Sequence, residues 1–137
     1  MAKKVAPERL SNAEKRIPEV QRHASVIGIE KNNIPRYKEL HADAWPGVLE
    51  KIKECNICNY SIYLAEVEED KYYLFSYFEY VGDNFEADMA EMPEDETTKS
   101  WWKETDPLQN PIPTRKEGEW WAELEEVFHT EYGDLIK

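Results

Sequence analysis

The stretch KYYLFSYFEY, residues 71–80, constrains the fold of this chain more than any other. Its aromatic content and its position directly after the acidic turn EED favour a β-strand. Strand alternation places its large side chains on both faces, with Tyr72, Leu74 and Phe78 on one and Tyr73, Phe75 and Tyr77 on the other. An antiparallel sheet with one solvated face alternates apolar and polar residues instead. Both faces of this sheet must therefore be covered.

The remaining segments predict an α+β fold. Two further strands are indicated by HASVIGIE at 23–30 and NYSIYLAEV at 59–67, and the second of these pairs with 71–80 as a hairpin. Helical spacing follows the first strand, in residues 33–55, and also follows residues 71–80, in GDNFEADMAEM and EDETTKSWWKE. WWAELEEVFHTE at 120–131 is expected to be the last strand. The order β-α-β-β-α-β predicts a ferredoxin-like domain with one four-stranded antiparallel sheet.

Two helices cover only one face of such a sheet, so the second face needs another partner. A second copy of the same sheet is the economical candidate, which predicts a homodimer through the open sheet face. The alternative is that the N-terminal arm, residues 1–21, folds across it. That arm is polar and is expected to be partly disordered, so it is the weaker candidate. Residues 22–137 are expected to form a single domain.

Composition excludes several classes of function. The chain carries 17 basic and 29 acidic residues, a net charge of −12, which disfavours binding to nucleic acid or to an anionic membrane surface. No apolar run approaches the length of a membrane span and no secretory signal is evident, so a cytoplasmic location is expected. Cys55 and Cys58 supply only two ligands where a structural zinc site needs four. They are expected to be reduced packing thiols, and no metal or cofactor is predicted.

A histidine on an apolar helical face is the first candidate for chemistry. Tyr37, His41 and Trp45 are spaced by four residues, which places them on one side of a helix. Pro46 predicts a break at Trp45 and leaves His41 in the last helical turn, beside an opening in the helical layer. Imidazole exchanges protons near neutral pH, so His41 is a candidate acid or base. A hydrogen-bonded core histidine is the alternative.

Aromatic side chains near His41 are the candidates for ligand binding. Tyr37 lies one turn before it, and Tyr60 or Tyr63 arrives from the neighbouring strand. Tyrosine hydroxyls suit a polyhydroxylated ligand, although core packing explains each tyrosine equally well. Trp101 and Trp102 point about 100° apart on a helix, so one is expected in the core and the other in a pocket wall. For the pair Trp120 and Trp121, packing or a dimer contact is expected.

Three motifs, RYKELHADAWP, NYSIYL and SWWKE, resemble in order and spacing those of the L-rhamnose mutarotase family. The resemblance covers residues from about 22 to 131. It implies a dimeric α/β barrel of ferredoxin-like subunits and a cofactor-independent isomerase that interconverts the α and β anomers of a 6-deoxyhexose. It also implies the roles of five residues: His41 as the proton donor, Tyr37 and Tyr60 as sugar-binding tyrosines, and Trp101 and Trp102 as the tandem tryptophans. No role is carried onto Tyr63.

The expected function is therefore a sugar mutarotase, with L-rhamnose as the first candidate and L-fucose or a related sugar as the next. Two other functions fit parts of the pattern. A non-catalytic sugar-binding module would keep the tyrosines and tryptophans, and a dimeric α/β-barrel monooxygenase acting without a cofactor would share the fold. Anomer exchange separates the first from the mutarotase, and oxygen consumption with an aromatic substrate separates the second.

Overall fold

The structure is a computed structural model, and it describes residues 19–131 of the chain. The strands are β1 (Gln21–Ile29), β2 (Ile57–Glu68), β3 (Lys71–Tyr80), β4 (Gln109–Asn110) and β5 (Ala122–Leu124). The α-helices are α1 (Ile34–Ala42), α2 (Pro46–Glu54), α3 (Phe85–Glu91) and α4 (Glu96–Thr105). Short 3-10 segments cover Lys31–Asn33, Met92–Glu94 and Asp106–Leu108. The predicted α+β class is confirmed. Most of the predicted arm, residues 1–18, lies outside the described residues, whereas Gln21 already belongs to β1.

The sheet is antiparallel, with the order β2-β3-β1 and with both β4 and β5 on the far edge of β1. The described residues therefore contain five strands where four were predicted. The strand predicted over 120–131 is wrong in extent, because β5 pairs only with Ala24, Ser25 and Val26 of β1. The C-terminal end of β1 instead pairs with β4, so the two short strands share one edge. Beyond β5, an ion pair of Arg22 with Glu126 joins the chain to β1.

Proline sets the shape of the helical layer, as predicted. Trp45 is extended, with φ −66° and ψ 133°, and Pro46 occupies the first turn of α2. The break turns α2 toward α4, where a Cβ at Gly47 would lie 2.9 Å from a methyl carbon of Thr97. Glycine is therefore required at this close approach of two helices. The result is a helical layer with an opening at the end of α1.

The core lies between this layer and one face of the sheet. One buried cluster joins β1 and β3 to α1 through Ile27, Ile29, Tyr37 and Leu74. A second cluster joins the helices α1, α2 and α4 through Leu40, Val48 and Trp101. His41 stacks on Tyr37 of the first cluster and contacts Trp101 of the second, so its side chain lies beside both clusters. Burial of this kind contributes about 1.5–3 kcal/mol for each large apolar side chain.

The other face of the sheet carries apolar side chains and contributes none to either core cluster of residues 19–131. The strand registers place on this face, termed the open face below, the residues Ala24, Val26, Tyr63, Ala65, Tyr73, Phe75, Tyr77 and Ala122. Tyr73, Phe75 and Tyr77 are only partly buried. The two-sided apolar character predicted for residues 71–80 is therefore a property of the folded sheet.

Candidate active site

A cavity lies between the sheet and the helices at the end of α1. It has an apolar lobe of about 490 Å³ and a more polar lobe of about 380 Å³. Six residues line both lobes: Tyr37, His41, Tyr60, Ile62, Trp101 and Trp102. All five predicted site residues are among them, although they come from three separate elements of the chain. The structure thus brings together every side chain that the motifs suggested.

His41 is held in a defined orientation by the backbone of its own helix. Its Nδ1 lies 2.8 Å from the carbonyl oxygen of Tyr37, one turn earlier. A carbonyl oxygen only accepts, so Nδ1 carries the hydrogen and Nε2 of the neutral ring carries the lone pair. Burial lowers the pKa of His41, partly offset by the bond to the Tyr37 carbonyl. At neutral pH, His41 is therefore a neutral imidazole with a basic Nε2 in a cavity wall.

Aromatic rings fix the plane of that imidazole. The ring of Tyr37 stacks on it with centroids 4.2 Å apart and an angle of 26°. Trp101 contacts the imidazole edge-on, with ring centroids 5.1 Å apart. Trp45 contacts Trp101 in the same way, also with centroids 5.1 Å apart. These contacts leave the ring little freedom to rotate, which is what proton transfer in a fixed direction requires.

The two adjacent tryptophans differ in burial, as the helical spacing predicted. Trp101 is 7% exposed and belongs to the core cluster of Leu40 and Val48. Trp102 is only partly buried, and it lines both lobes of the cavity. Trp102 therefore offers the more accessible indole surface for stacking against a ligand, whereas Trp101 mainly supports His41.

Tyr60 lines the cavity from β2, directly beside a β-bulge. Cys58 pairs with Glu79 and Ser61 pairs with Tyr77, both on the open face, so two residues rather than one separate them. Tyr60 precedes Ser61 and therefore faces the helical side, as Ile62 does, with its ring centroid 5.6 Å from that of Phe78. Asn59 adopts a positive φ of 50° within the bulge, and its amide donates to Glu79 at 2.7 Å.

The polar lobe contains side chains that sequence reasoning did not select. Asp106 is the only carboxylate among the residues lining the two lobes, and burial raises its pKa. Gln109 and Trp120 line the same lobe. The Nε1–H of Trp120 donates to Gln109 Oε1 at 2.8 Å. The packing or dimer contact expected for Trp120 stays a prediction. Trp121 does pack against the core cluster of β1 and β3.

Signals for the polar lobe existed in the sequence but were weak. Trp120 follows a loop rich in proline, and Gln109 lies between Pro107 and Pro111. Both patterns suit a pocket wall and a packing role alike. What identifies Asp106 and Gln109 is the return of the chain along β1, since β4 places Gln109 opposite Ile29. That pairing is a long-range event that no local pattern in residues 105–121 indicates.

Residues 19–131 contain no group of three or more His, Cys, Asp or Glu side chains arranged to hold a metal ion. Cys55 and Cys58 are both free thiols, the first buried and the second partly buried. Within the same part of the chain, none of the helices is both long and apolar enough to cross a membrane.

Comparison with known proteins gives one consistent result. A family model described as L-rhamnose mutarotase matches residues 22–130. An L-rhamnose mutarotase of Lactiplantibacillus plantarum is 32% identical over 114 residues, which cover 79% of this chain and 96% of that protein. One of Bacillus subtilis is 33% identical over 89 residues, covering 65% and 80%.

A solved structure adds the same likeness in three dimensions. The crystal structure of L-rhamnose mutarotase from Formosa agariphila superimposes with a TM-score of 0.60 at 26% identity, covering 81% of this chain and 99% of that one. Residues 22–130, which the family model matches, contain every element except Gln21 at the start of β1, and all of the residues that line the cavity. The chain therefore belongs to the L-rhamnose mutarotase family.

Proposed function

We propose that this protein is a sugar mutarotase that interconverts the α and β anomers of a 6-deoxyhexose, with L-rhamnose as the first candidate. The relatives that cover most of the chain carry that activity in their names. The observation that carries the proposal is the state of His41, whose hydrogen is fixed on Nδ1 while the basic Nε2 is left for a ligand. A neutral imidazole in a walled cavity suits proton transfer between two oxygens of one small molecule.

The chemistry needs two proton movements. As the bond between C1 and the ring oxygen breaks, Nε2 of His41 takes the proton of the anomeric hydroxyl and that oxygen becomes the aldehyde. The imidazolium then donates the same proton to the ring oxygen, and the open-chain sugar rotates about C1–C2. Closure on the other face reverses both transfers. His41 is thus the proton donor to the ring oxygen, and no atom is gained or lost over the cycle.

The other cavity residues are proposed to bind the sugar. Tyr37 and Tyr60 bind the sugar through their hydroxyl groups, and Asp106 accepts hydrogen bonds from the polar edge of the ring. The exposed indole surface of Trp102 stacks on the apolar face of the pyranose. The apolar lobe, whose wall includes Ala44 and Val48, accommodates the methyl group that distinguishes a 6-deoxyhexose.

We further propose that two chains pair through their open faces. The centre of this face is apolar, with Val26, Tyr73 and Phe75 on neighbouring strands. One end is charged, where Arg22 holds Glu126 through two contacts of 2.7 and 2.9 Å. An apolar centre with a polar rim is the usual composition of an interface. Val127 and Phe128, which are 87% and 79% exposed, extend the apolar surface beyond β5. The cytoplasmic location stays a prediction from the sequence.

Proton NMR of anomer exchange tests the activity directly. With α-L-rhamnose and its β anomer at equilibrium, we expect micromolar enzyme to accelerate exchange between the two H1 resonances, and to do so more for L-rhamnose than for L-fucose. Heat-denatured protein and bovine albumin at the same concentration are the controls. Tight binding of L-rhamnose without faster exchange would identify a binding module, and no effect on any 6-deoxyhexose would contradict the proposed function.

A further inference from the structure

A chain of two hydrogen bonds links the far wall of the polar lobe to Tyr37. The Nε1–H of Trp120 donates to Gln109 Oε1 at 2.8 Å, and Gln109 Nε2 donates to the Tyr37 hydroxyl oxygen at 3.2 Å. Both Gln109 and Tyr37 are nearly inaccessible, with 7% and 6% of their surfaces exposed. Among the described residues, the Tyr37 hydroxyl has no other hydrogen-bond partner.

The direction of this chain is fixed by its first member. An indole N–H has no lone pair to offer, so it always donates and its partner atom must be the amide oxygen. The amide nitrogen of Gln109 then necessarily faces Tyr37, and it donates. The Tyr37 oxygen is therefore an acceptor toward Gln109, and its own hydrogen points elsewhere. Since Tyr37 lines both lobes, that hydrogen is available to a molecule in the cavity.

Secondary structure holds each member of the chain in place. Gln109 lies in β4, paired with Ile29 of β1, and Tyr37 lies in α1, where its ring packs against His41. Burial raises the pKa of Tyr37, so the phenol stays protonated and keeps its hydrogen to donate. Of the oxygens in a pyranose, the ring oxygen alone carries no hydrogen, so it is the natural partner for a side chain that only donates.

We propose that Gln109 and Trp120 are positioning residues that hold Tyr37 as a hydrogen-bond donor to the ring oxygen of the sugar. This inference rests on the proposed mutarotase function. Negative charge develops on the ring oxygen as its bond to C1 breaks, and a donor already aimed at that atom stabilises the charge more than it stabilises the bound substrate. His41 moves the proton, while Tyr37 holds the oxygen that receives it.

Gln109→Glu is the sharpest test, because glutamate keeps the shape of glutamine while its carboxylate can only accept hydrogen bonds. A carboxylate accepts from both neighbours, so the Tyr37 hydroxyl turns to donate to it and is lost to the sugar. We expect kcat at pH 8 to fall by about 10- to 100-fold, the range for a hydrogen bond to a charged group, with KM changed less than about twofold. Tyr37→Phe should give the same loss. Gln109→Met should cost much less, since the hydroxyl can still donate to the sugar.

Combined variants separate positioning from packing. In Gln109→Glu with Tyr37→Phe, we expect kcat no lower than in Tyr37→Phe alone, because the first change acts only through the tyrosine. Trp120→Phe frees the amide to rotate and should give an intermediate loss. Gln21→Glu is the matched control, because it makes the same change at an exposed site on β1. We expect this variant to keep the wild-type kcat and KM.

The outcomes are distinguishable from failure of the proposed function. A wild-type protein that does not accelerate anomer exchange would contradict the function itself. An active wild type overturns the positioning role if Gln109→Glu keeps its kcat, if Gln109→Met is as damaging as Gln109→Glu, or if the losses from Gln109→Glu and Tyr37→Phe multiply. Thermal unfolding of each variant shows whether the fold is intact, and a loss confined to KM would also count against the proposal.

Discussion

His41→Asn is expected to lower kcat/KM for anomer exchange by about 10²–10⁴-fold, the usual contribution of one positioned acid or base. The amide nitrogen of asparagine can replace Nδ1 as a donor to the Tyr37 carbonyl, so the variant keeps the bond that anchors the side chain. It lacks any counterpart of Nε2. Saturation-transfer NMR of the L-rhamnose H1 resonances measures the rate.

The chain offers a matched control in a second histidine. His23 is also stacked between aromatic rings, 5.1 Å from Phe78 and 4.2 Å from Phe85, but it is not among the residues lining either lobe. His23→Asn therefore removes an imidazole from a similar environment, and it should leave kcat/KM unchanged. Equal losses from both variants would mean that a stacked histidine matters for stability alone. Full activity of His41→Asn would remove His41 from the mechanism.

The pH profile of the wild type tests which form of His41 starts the reaction. Burial holds its pKa below the ordinary value of 6.5, so the neutral form is the resting form at pH 7. Because the first step needs the free Nε2, kcat/KM should be level above pH 6.5 and fall as the pH drops through the lowered pKa. The titratable or charged groups that share its cavity are Tyr37, Lys38, Tyr60, Tyr63 and Asp106. A rate that rises on acidification would show that the imidazolium acts first.

Local spacing was sufficient to predict one side of this site. Tyr37 and His41 are one helical turn apart in any helix, and Pro46 ends that helix in any fold, so their proximity and the opening beside them follow from a few residues of sequence. The split between Trp101 and Trp102 follows from the 100° step of a helix in the same way. These features depend on nothing outside their own segment, and each is confirmed.

The other side of the site depends on contacts between distant segments. The pairing of β2 with β3 places Tyr60 beside Phe78 in the cavity wall, next to a bulge in which Asn59 donates to Glu79. Gln109 reaches Tyr37 only because β4 pairs with one end of β1. Of the strand predicted over 120–131, only β5 pairs with the remaining edge of β1. Alternation and helical spacing describe single elements, so they miss a bulge and a shared edge. The residues missed here are therefore those placed by pairing across the sheet.

Phe75→Glu is expected to convert a dimer into a monomer. Phe75 lies in the central strand β3, opposite Val26 of β1 and Tyr63 of β2, at the middle of the open face. If a second copy covers this face, a twofold axis brings two copies of the substitution into one interface. A carboxylate buried without a partner costs about 3–5 kcal/mol, so two of them raise the dissociation constant by about 10⁴-fold or more.

Sedimentation velocity at micromolar concentration measures this effect, with Ala90→Glu as the control. Ala90 is an exposed residue of α3 on the helical side, so the same charge there should leave the dimer intact. In a monomer Phe75 is only partly buried, so the substitution should not unfold the chain, which circular dichroism can verify. A monomeric wild type, or a dimeric Phe75→Glu variant, would show that the open face is not the interface. Some other occupant would then have to cover the aromatic surface that residues 71–80 place on both sides of the sheet.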